Sequence, residues 1–311
     1  MPNAVSLFSG CGGSDLGLSD AGFVTIVAND VLPYAKAVYE ANMPDTEFLL
    51  GDVTDIKHFP PAELLAGCYP CQGFSQGGVR DPSAKINYLY REFDRALRAI
   101  RPKAFVVENV SGMVRSNFSH LLQNQLTRFR SAGYRVKWAV LNAMDYGVAQ
   151  DRKRILLVGV RSDLGVEYEF PQPTHGGTAP NRVVTQRDVI SDLPRWPVGE
   201  FDPHDFHWYY LSRNRRNDWG QPSKTIVSNY RHVPLHPSSP RLIKHGHNDW
   251  RFESARPARK LSFREAARLQ GFPSSFVFPE ASLQRKFEVI GNAVPPPLFS
   301  AVVKSLPNVW D

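Results

Sequence analysis

Cys71 stands behind Pro70 and ahead of Gln72, at the head of a stretch loosened by Gly73, Gly77 and Gly78. A cysteine so placed is a candidate nucleophile, because its thiolate can add covalently to a substrate carbon and split one hard step into easier ones. Other groups in the chain suit such a reaction. Phe8-Ser9-Gly10-Cys11-Gly12-Gly13 is a glycine-rich turn, and Gly291-Asn292-Ala293-Val294 is another near the end. Glu108-Asn109-Val110 places a carboxyl at the end of an apolar run, where exclusion of water raises a pKa and keeps an acid protonated. Gln150-Asp151-Arg152-Lys153-Arg154 offers two guanidiniums two residues apart. A rival chemistry is redox, since Cys68 and Cys71 form a C-x-x-C pair. Against it, the residues after Cys71 read as a loop rather than as the helix start that lowers a thiol pKa.

The elements that must position these groups are written in the first 160 residues. Strand-like apolar runs at Ala4-Phe8, Val24-Asn29, Glu47-Leu50, Leu64-Cys68, Ala104-Glu108, Val136-Leu141 and Ile155-Val160 alternate with helical stretches at Tyr34-Asn42, Ile86-Ile100 and Ser119-Ala132. That alternation predicts an α/β fold, a doubly wound, parallel sheet of seven strands covered by helices. The glycine turn at Phe8 follows the first strand and precedes a helix near Ser14, where such folds bind nucleotides. Its G-x-G-G spacing is not the dinucleotide fingerprint. Asp30 ends the second strand, where a carboxylate can accept from ribose hydroxyls, and Asp52 ends the third, where one can accept from an adenine amino group. The alternative for either aspartate is a helix cap.

From about Pro171 to Pro257 the texture changes, periodicity fades, and seven of the nine histidines lie there. A second, irregular domain is expected, with boundaries at 1–172, 173–256, 257–287 and a C-terminal segment 288–311 that returns to the first domain. Histidine pairs His204/His207 and His245/His247 raise the question of zinc, but no cysteine lies in the region to complete a structural site, so no metal is expected. A capping box Ser262-Phe263-Arg264-Glu265 predicts a helix over Phe263-Gln270, ended by Gly271 and Pro273. The chain of 311 residues carries 37 basic and 30 acidic side chains, a net charge of +7 that favours a polyanionic partner. Arg213, Arg215, Arg216, Lys224 and Arg231 form a local basic patch interleaved with Tyr209, Tyr210, Trp219 and Tyr230. The apolar runs are too short to span a bilayer, no signal-peptide pattern opens the chain, and three cysteines do not make a disulfide framework. These features predict a cytoplasmic protein with reduced thiols.

The glycine turn at Phe8, Pro70-Cys71-Gln72, Glu108-Asn109-Val110, Gln150-x-Arg152-x-Arg154, the run from Arg264 to Pro273 and the turn at Gly291, in this order, resemble the motifs of the DNA cytosine-5 methyltransferases. The resemblance spans nearly the whole chain, and the stretch outside it coincides with that family's variable target-recognition domain. It implies a Rossmann-like S-adenosylmethionine-dependent methyltransferase sheet, mostly parallel. It also implies transfer of a methyl group to C5 of a cytosine flipped out of duplex DNA. The chemistry is consistent with the residues: C5 is a poor nucleophile until Cys71 adds to C6, and Glu108 then donates to N3. The resemblance further implies that Asn109 holds the cytosine amino group or braces the cysteine loop, that Arg152 holds the base O2, and that Arg154 orients Glu108 or the loop.

By the same resemblance S-adenosylmethionine meets Phe8, Gly10, Gly12, Gly13, Asp30, Val31, Asp52, Val53, Pro70, Leu89, Asn292 and Val294. Asp30 departs from the longer glutamate that many members use there. Ser75, Gln76 and Arg80, in the loop after Cys71, would contact DNA as it closes over the base. Arg213, Arg215, Tyr230 and Arg231 would read bases, with Arg216 and Lys224 on phosphates. This stretch is similar to the recognition region of bacterial members that modify GGCC, without fixing the target. A monomer in a restriction–modification context, with a cognate endonuclease acting on the same site, is the implied setting. The same residues would serve a tRNA cytosine-5 methyltransferase, and a catalytically silent DNA-binding module is a third class.

Overall fold

Seven apolar runs become seven strands, and the connections between them decide their direction. The computed structural model describes residues 1–70, 88–115 and 118–310. Strands β1 (Asn3–Leu7), β2 (Val24–Asp30), β3 (Glu47–Leu50), β4 (Leu64–Gly67) and β5 (Ala104–Val110) pair parallel, while β7 (Lys153–Arg161) runs antiparallel both to β5 and to β6 (Tyr134–Asn142). The sheet order is β3-β2-β1-β4-β5-β7-β6. The mostly parallel, seven-stranded sheet expected from the family resemblance is present. Its antiparallel pair lies at one edge, where only a short 3₁₀ turn and no crossover α-helix separates β6 from β7, so the two strands pair antiparallel.

The helices are α1 (Gly13–Asp20), α2 (Pro33–Asn42), α3 (Tyr90–Ile100) and α4 (Ser119–Ser131). On α3 the apolar residues Phe93, Ala96 and Leu97 recur at helical spacing and are buried. Phe93 meets Phe105 of β5 and Phe129 of α4 edge-on, with ring centroids 5.7 and 5.6 Å away. Two glycines make room for these rings. A Cβ at Gly67 would stand 2.4 Å from Phe93, and one at Gly159 would stand 2.1 Å from Phe105.

Two compact units result: 1–142 with 153–172 and 298–311, and 143–152 with 173–297. The second unit therefore takes in the ten residues between β6 and β7 as well as the irregular region, and it extends to 297. It contains α5 (Gln186–Ile190), the hairpin β8 (Leu242–Gly246) and β9 (Asp249–Phe252), α6 (Phe263–Leu269) and α7 (Leu283–Asn292). With so little regular structure, its core is closed by polar groups. Arg259 forks onto Glu265, both buried, with nitrogen–oxygen distances of 2.8 and 2.6 Å. Lys260 is paired with Asp202 in the same interior, and Tyr210 donates to the Val233 carbonyl at 2.8 Å. The expected capping box is present at Ser262 and Glu265. A last helix, α8 (Pro296–Lys304), starts at the prolines, and its later turns belong to the sheet unit. There the Val302 carbonyl accepts from Tyr168, and Lys304 pairs with Asp20.

Among the described residues no helix is long and apolar enough to cross a membrane, and no group of three or more histidine, cysteine or acidic side chains can hold a metal.

Candidate active site

The antiparallel pairing of β5 with β7 sets Glu108 opposite Leu156 and Val110 opposite Arg154. Residues two apart on a strand share a face, so Glu108 and Arg154 meet diagonally across the two strands. Arg154 Nε lies 2.8 Å from Glu108 Oε1, with both side chains almost entirely buried. Burial pulls the guanidinium pKa down and the carboxylate pushes it back. The result is a positioned carboxylate, in the interior of a strand whose register leaves it little freedom. Next to it, Asn109 donates to the Tyr69 carbonyl at 3.1 Å and accepts from Val110 N–H at 2.7 Å. Asn109 thus braces the segment that leads into Pro70.

Cys71 lies outside the described residues, as do Ser75, Gln76 and Arg80. Cys68 is described, just past the end of β4. Burial, followed by the nearby Glu108 and Asp15 charges, drives its thiol pKa well up. A thiol so suppressed is a poor partner for disulfide exchange, which counts against the redox reading.

Above the ends of β1 and β2 the glycine turn takes an unusual backbone. Phe8, Gly10 and Gly12 have φ of 57, 55 and 90°. Gly12 has a second constraint, since a Cβ there would fall 2.0 Å from Met43 and 3.2 Å from the Tyr39 ring. Asp30 ties this turn to α2, accepting from Gly10 N–H on one oxygen and from Leu32 N–H on the other, both at 2.9 Å. Burial raises its pKa and those backbone donors oppose the rise. Val31 and Leu50 expose 63 and 46% of their surface at the ends of β2 and β3, two apolar groups suited to flank a planar ring. Asp52 accepts from Thr54 N–H and hydroxyl, both at 2.9 Å, as the cap of a short 3₁₀ turn. Val53 packs into the hydrophobic core, and its carbonyl accepts from Arg95 at 2.9 Å. Pro70 is half-buried and Leu89 caps α3.

Two residues here escape a reading of motifs. Leu50 looks like an ordinary strand terminus. Asp15, in the first turn of α1, is a buried carboxylate that accepts from Ser6, Ser14 and Tyr39 hydroxyls at 3.0, 2.9 and 3.0 Å. It joins β1, α1 and α2 beneath the turn, and burial raises its pKa. The available signal was an acid at the third position of a helix that follows two glycines.

The expected site residues of the second unit differ in what they meet. Arg152 exposes 1% of its surface and donates to three carbonyls, those of Ile226 at 3.0 Å, Gly291 at 2.9 Å and Ala293 at 3.1 Å. Its guanidinium is occupied by backbone, which does not match a hold on a base O2. Arg216 is similarly engaged, by the Ser239 and Pro237 carbonyls and by Asp218. Arg215 donates to the Tyr210 carbonyl at 3.2 Å and lies over the Tyr210 ring. Neither is placed as a free-standing contact to bases or phosphates. Arg213 and Arg231 are exposed, the first over Tyr209 and the second over Tyr230. Trp208, at 79% exposure beside Tyr209, adds an aromatic surface that the sequence reading left out. Lys224 is half-buried, Asn292 is exposed at the end of α7, and Val294 is buried.

A parallel sheet with an antiparallel pair at one edge, a glycine turn over β1 and a buried carboxylate–guanidinium pair make up an α/β fold with a candidate site at its strand ends. Residues 3–308 match the model of the C-5 cytosine-specific DNA methylases, and the chain belongs to that family. It is 37% identical to the type II methyltransferase M.BsuRI of Bacillus subtilis, over 98% of this chain and 79% of that one. It is also 37% identical to M.NgoPII of Neisseria gonorrhoeae, over 94 and 91%. Among solved structures, a prophage-encoded protein of E. coli superposes with a TM-score of 0.75 at 22% identity, covering 98% of both chains. The S. pombe Dnmt2 methyltransferase does so at 0.68 and 16%, over 97% of both. These likenesses establish the seven-stranded fold and a DNA cytosine-5 methyltransferase of the restriction–modification type.

Proposed function

We propose that the protein methylates C5 of a flipped cytosine within one short duplex DNA site through a covalent bond between Cys71 Sγ and C6, and so shields host DNA from a cognate endonuclease. The observation that carries this reading is the buried Glu108–Arg154 pair. S-adenosylmethionine would supply the methyl group as an electrophilic sulfonium. The strained turn at Gly10 and Gly12, the Asp30 carboxylate and the exposed Val31 and Leu50 fit its amino-acid end, ribose and adenine in turn.

The chain's own residues account for the remaining steps. Cys71 thiolate adds to C6, and the electron pair displaced from the C5–C6 bond would leave negative charge delocalised to N3. Glu108 gives N3 its proton, with Oε1 held by Arg154 so that the acid keeps one orientation. C5, now electron-rich, takes the methyl group. Loss of the C5 proton to a base, for which water suffices, then expels Cys71, and N3 returns its proton to Glu108 as the ring is restored. A base stacked in a duplex cannot reach such a pocket, which requires flipping. Type II methyltransferase names among the relatives support the protective role.

Bisulfite sequencing of DNA from an expressing host should reveal one short methylated context. Cys71→Ala should lose turnover entirely while still binding DNA. Unmodified DNA together with methylated tRNA would replace the DNA reading by the RNA one, and undiminished activity in Cys71→Ala would end the covalent mechanism.

A further inference from the structure

Gln150 and Arg152 flank a segment that hydrogen-bonds along its length to residues 223–226, within one unit. Ser223 N–H donates to the Ala149 carbonyl at 2.8 Å, Asp151 N–H to Ser223 at 2.9 Å, and the Thr225 hydroxyl to Asp151 at 2.7 Å. The side chains continue the pattern. Gln150 Oε1 accepts from Ile226 N–H at 2.9 Å, and Arg152 Nη1 donates to the Ile226 carbonyl at 3.0 Å. Both groups of one peptide residue are thus gripped, and the grip is buried. From there Arg152 Nη2 reaches Gly291 and Ala293, while Gln270 bridges Gln150 and the Ala293 carbonyl at 2.6 Å each. Gly291 is packed so closely that a Cβ would stand 2.3 Å from Ser228 N and 2.4 Å from the Val227 carbonyl carbon.

Three residues beyond Ile226 the chain turns at Asn229, whose side chain accepts from Arg231 N–H at 3.0 Å and caps the 3₁₀ turn Tyr230–His232. This turn carries the exposed Arg231 stacked on Tyr230. We infer that Arg152, with Gln150 and Gln270, is a positioning residue for target recognition: it locks residues 226–228 onto the Gly291–Ala293 end of α7 and thereby aims the Tyr230–Arg231 turn at DNA. A rigid guanidinium fork is suited to this, because it serves several carbonyls at fixed angles, as a lysine ammonium cannot. The inference rests on the proposed methylation of duplex DNA.

The test compares wild type with Arg152→Lys and Arg152→Gln on duplexes carrying the methylated context or single-base variants of it. The expected result is a DNA KM raised roughly tenfold and discrimination between the duplexes reduced by a similar factor, with the single-turnover rate at saturation within about threefold of wild type. Gly291→Ala should do the same, and its double mutant with Arg152→Gln should add little, since both release one contact surface. A hold on the reacting base predicts the reverse, a single-turnover rate lowered about 100-fold with discrimination intact, and that result overturns the inference. Hydrogen exchange gives a readout independent of activity. Amides 226–231 should exchange faster in Arg152→Lys while those of β1 to β5 stay as in wild type. Unchanged exchange at 226–231, or global unfolding of Arg152→Lys, also overturns it. Failure of wild type to methylate DNA would instead remove the functional reading and leave the exchange result to decide the positioning role.

Discussion

The sheet unit and the second unit are held together by different physics. In the sheet unit, apolar side chains at strand and helix periods meet in one core, and glycines such as Gly67 and Gly159 are the places where an aromatic ring needs space. In the second unit few residues are in regular elements, so backbone carbonyls that no ladder satisfies are met by arginine and glutamine side chains. Arg152, Arg216 and Arg259 all donate to carbonyls there. Buried polar groups must be paired, and the irregular unit meets that demand with long cationic side chains. The sheet unit is therefore sensitive to volume, the other to charge and hydrogen-bonding capacity.

Four measurements would break or sharpen that contrast. The largest effect belongs to chemistry in the sheet unit: Glu108→Gln keeps the shape but cannot give a proton, and should lower the single-turnover rate by about 10²- to 10⁴-fold. Next, Arg259→Met strands the buried Glu265 and should cost about 3–5 kcal/mol, seen in chemical denaturation and in faster hydrogen exchange across 173–297. If the loss were no greater than for an exposed arginine, the polar core would not be what holds that unit. Gly159→Ala tests volume, since its methyl group would overlap Phe105, and should cost about 1–3 kcal/mol in thermal melting. The smallest effect is a pH slope, at most about 1.4 kcal/mol per unit of pH. Burial and the cations Arg259, Arg195 and Arg216 push His236 down to about 3, although Nε2 faces Glu265 at 3.4 Å. Ser238 N–H donates to Nδ1 at 3.2 Å, which keeps the ring neutral. An unfolded histidine titrates near about 6.5, so the unfolded chain binds the extra proton between those values. The stability this ring contributes is complete above the higher value and declines as pH falls toward the lower. His236→Gln should flatten that part of the stability–pH curve.

The same contrast governs what was legible in the sequence. All seven strands and the helices α2, α3, α4 and α6 were readable, because burial on a regular element leaves a period. Glu108 and Asn109 stood out by type and by their place at the end of an apolar run, and the structure adds the register that brings Arg154 to Glu108. Arg152 and Arg154 could not be told apart by type or spacing, since what separates them is that Arg152 meets backbone carbonyls and Arg154 meets the Glu108 carboxylate. The basic patch suffered likewise: composition marked Arg213, Arg215, Arg216 and Arg231 equally, but Arg215 and Arg216 answer to carbonyls of their own unit. Asp15 was missed because two of the three hydroxyls that satisfy its carboxylate, those of Ser6 and Tyr39, come from other elements and leave no local pattern.

The sheet order has a consequence for how the enzyme is made. β7 enters between β5 and β6, both of which precede it in the chain. Bringing β5 and β7 together closes a long loop, a costly step that local hairpin formation does not require. A chain in which β6 and β7 have paired but not yet docked on β5 has most of its secondary structure and no Glu108–Arg154 contact. Methyl transfer in such a chain is absent, so recovery of activity after refolding reports the closing of the sheet and should trail the recovery of helical signal.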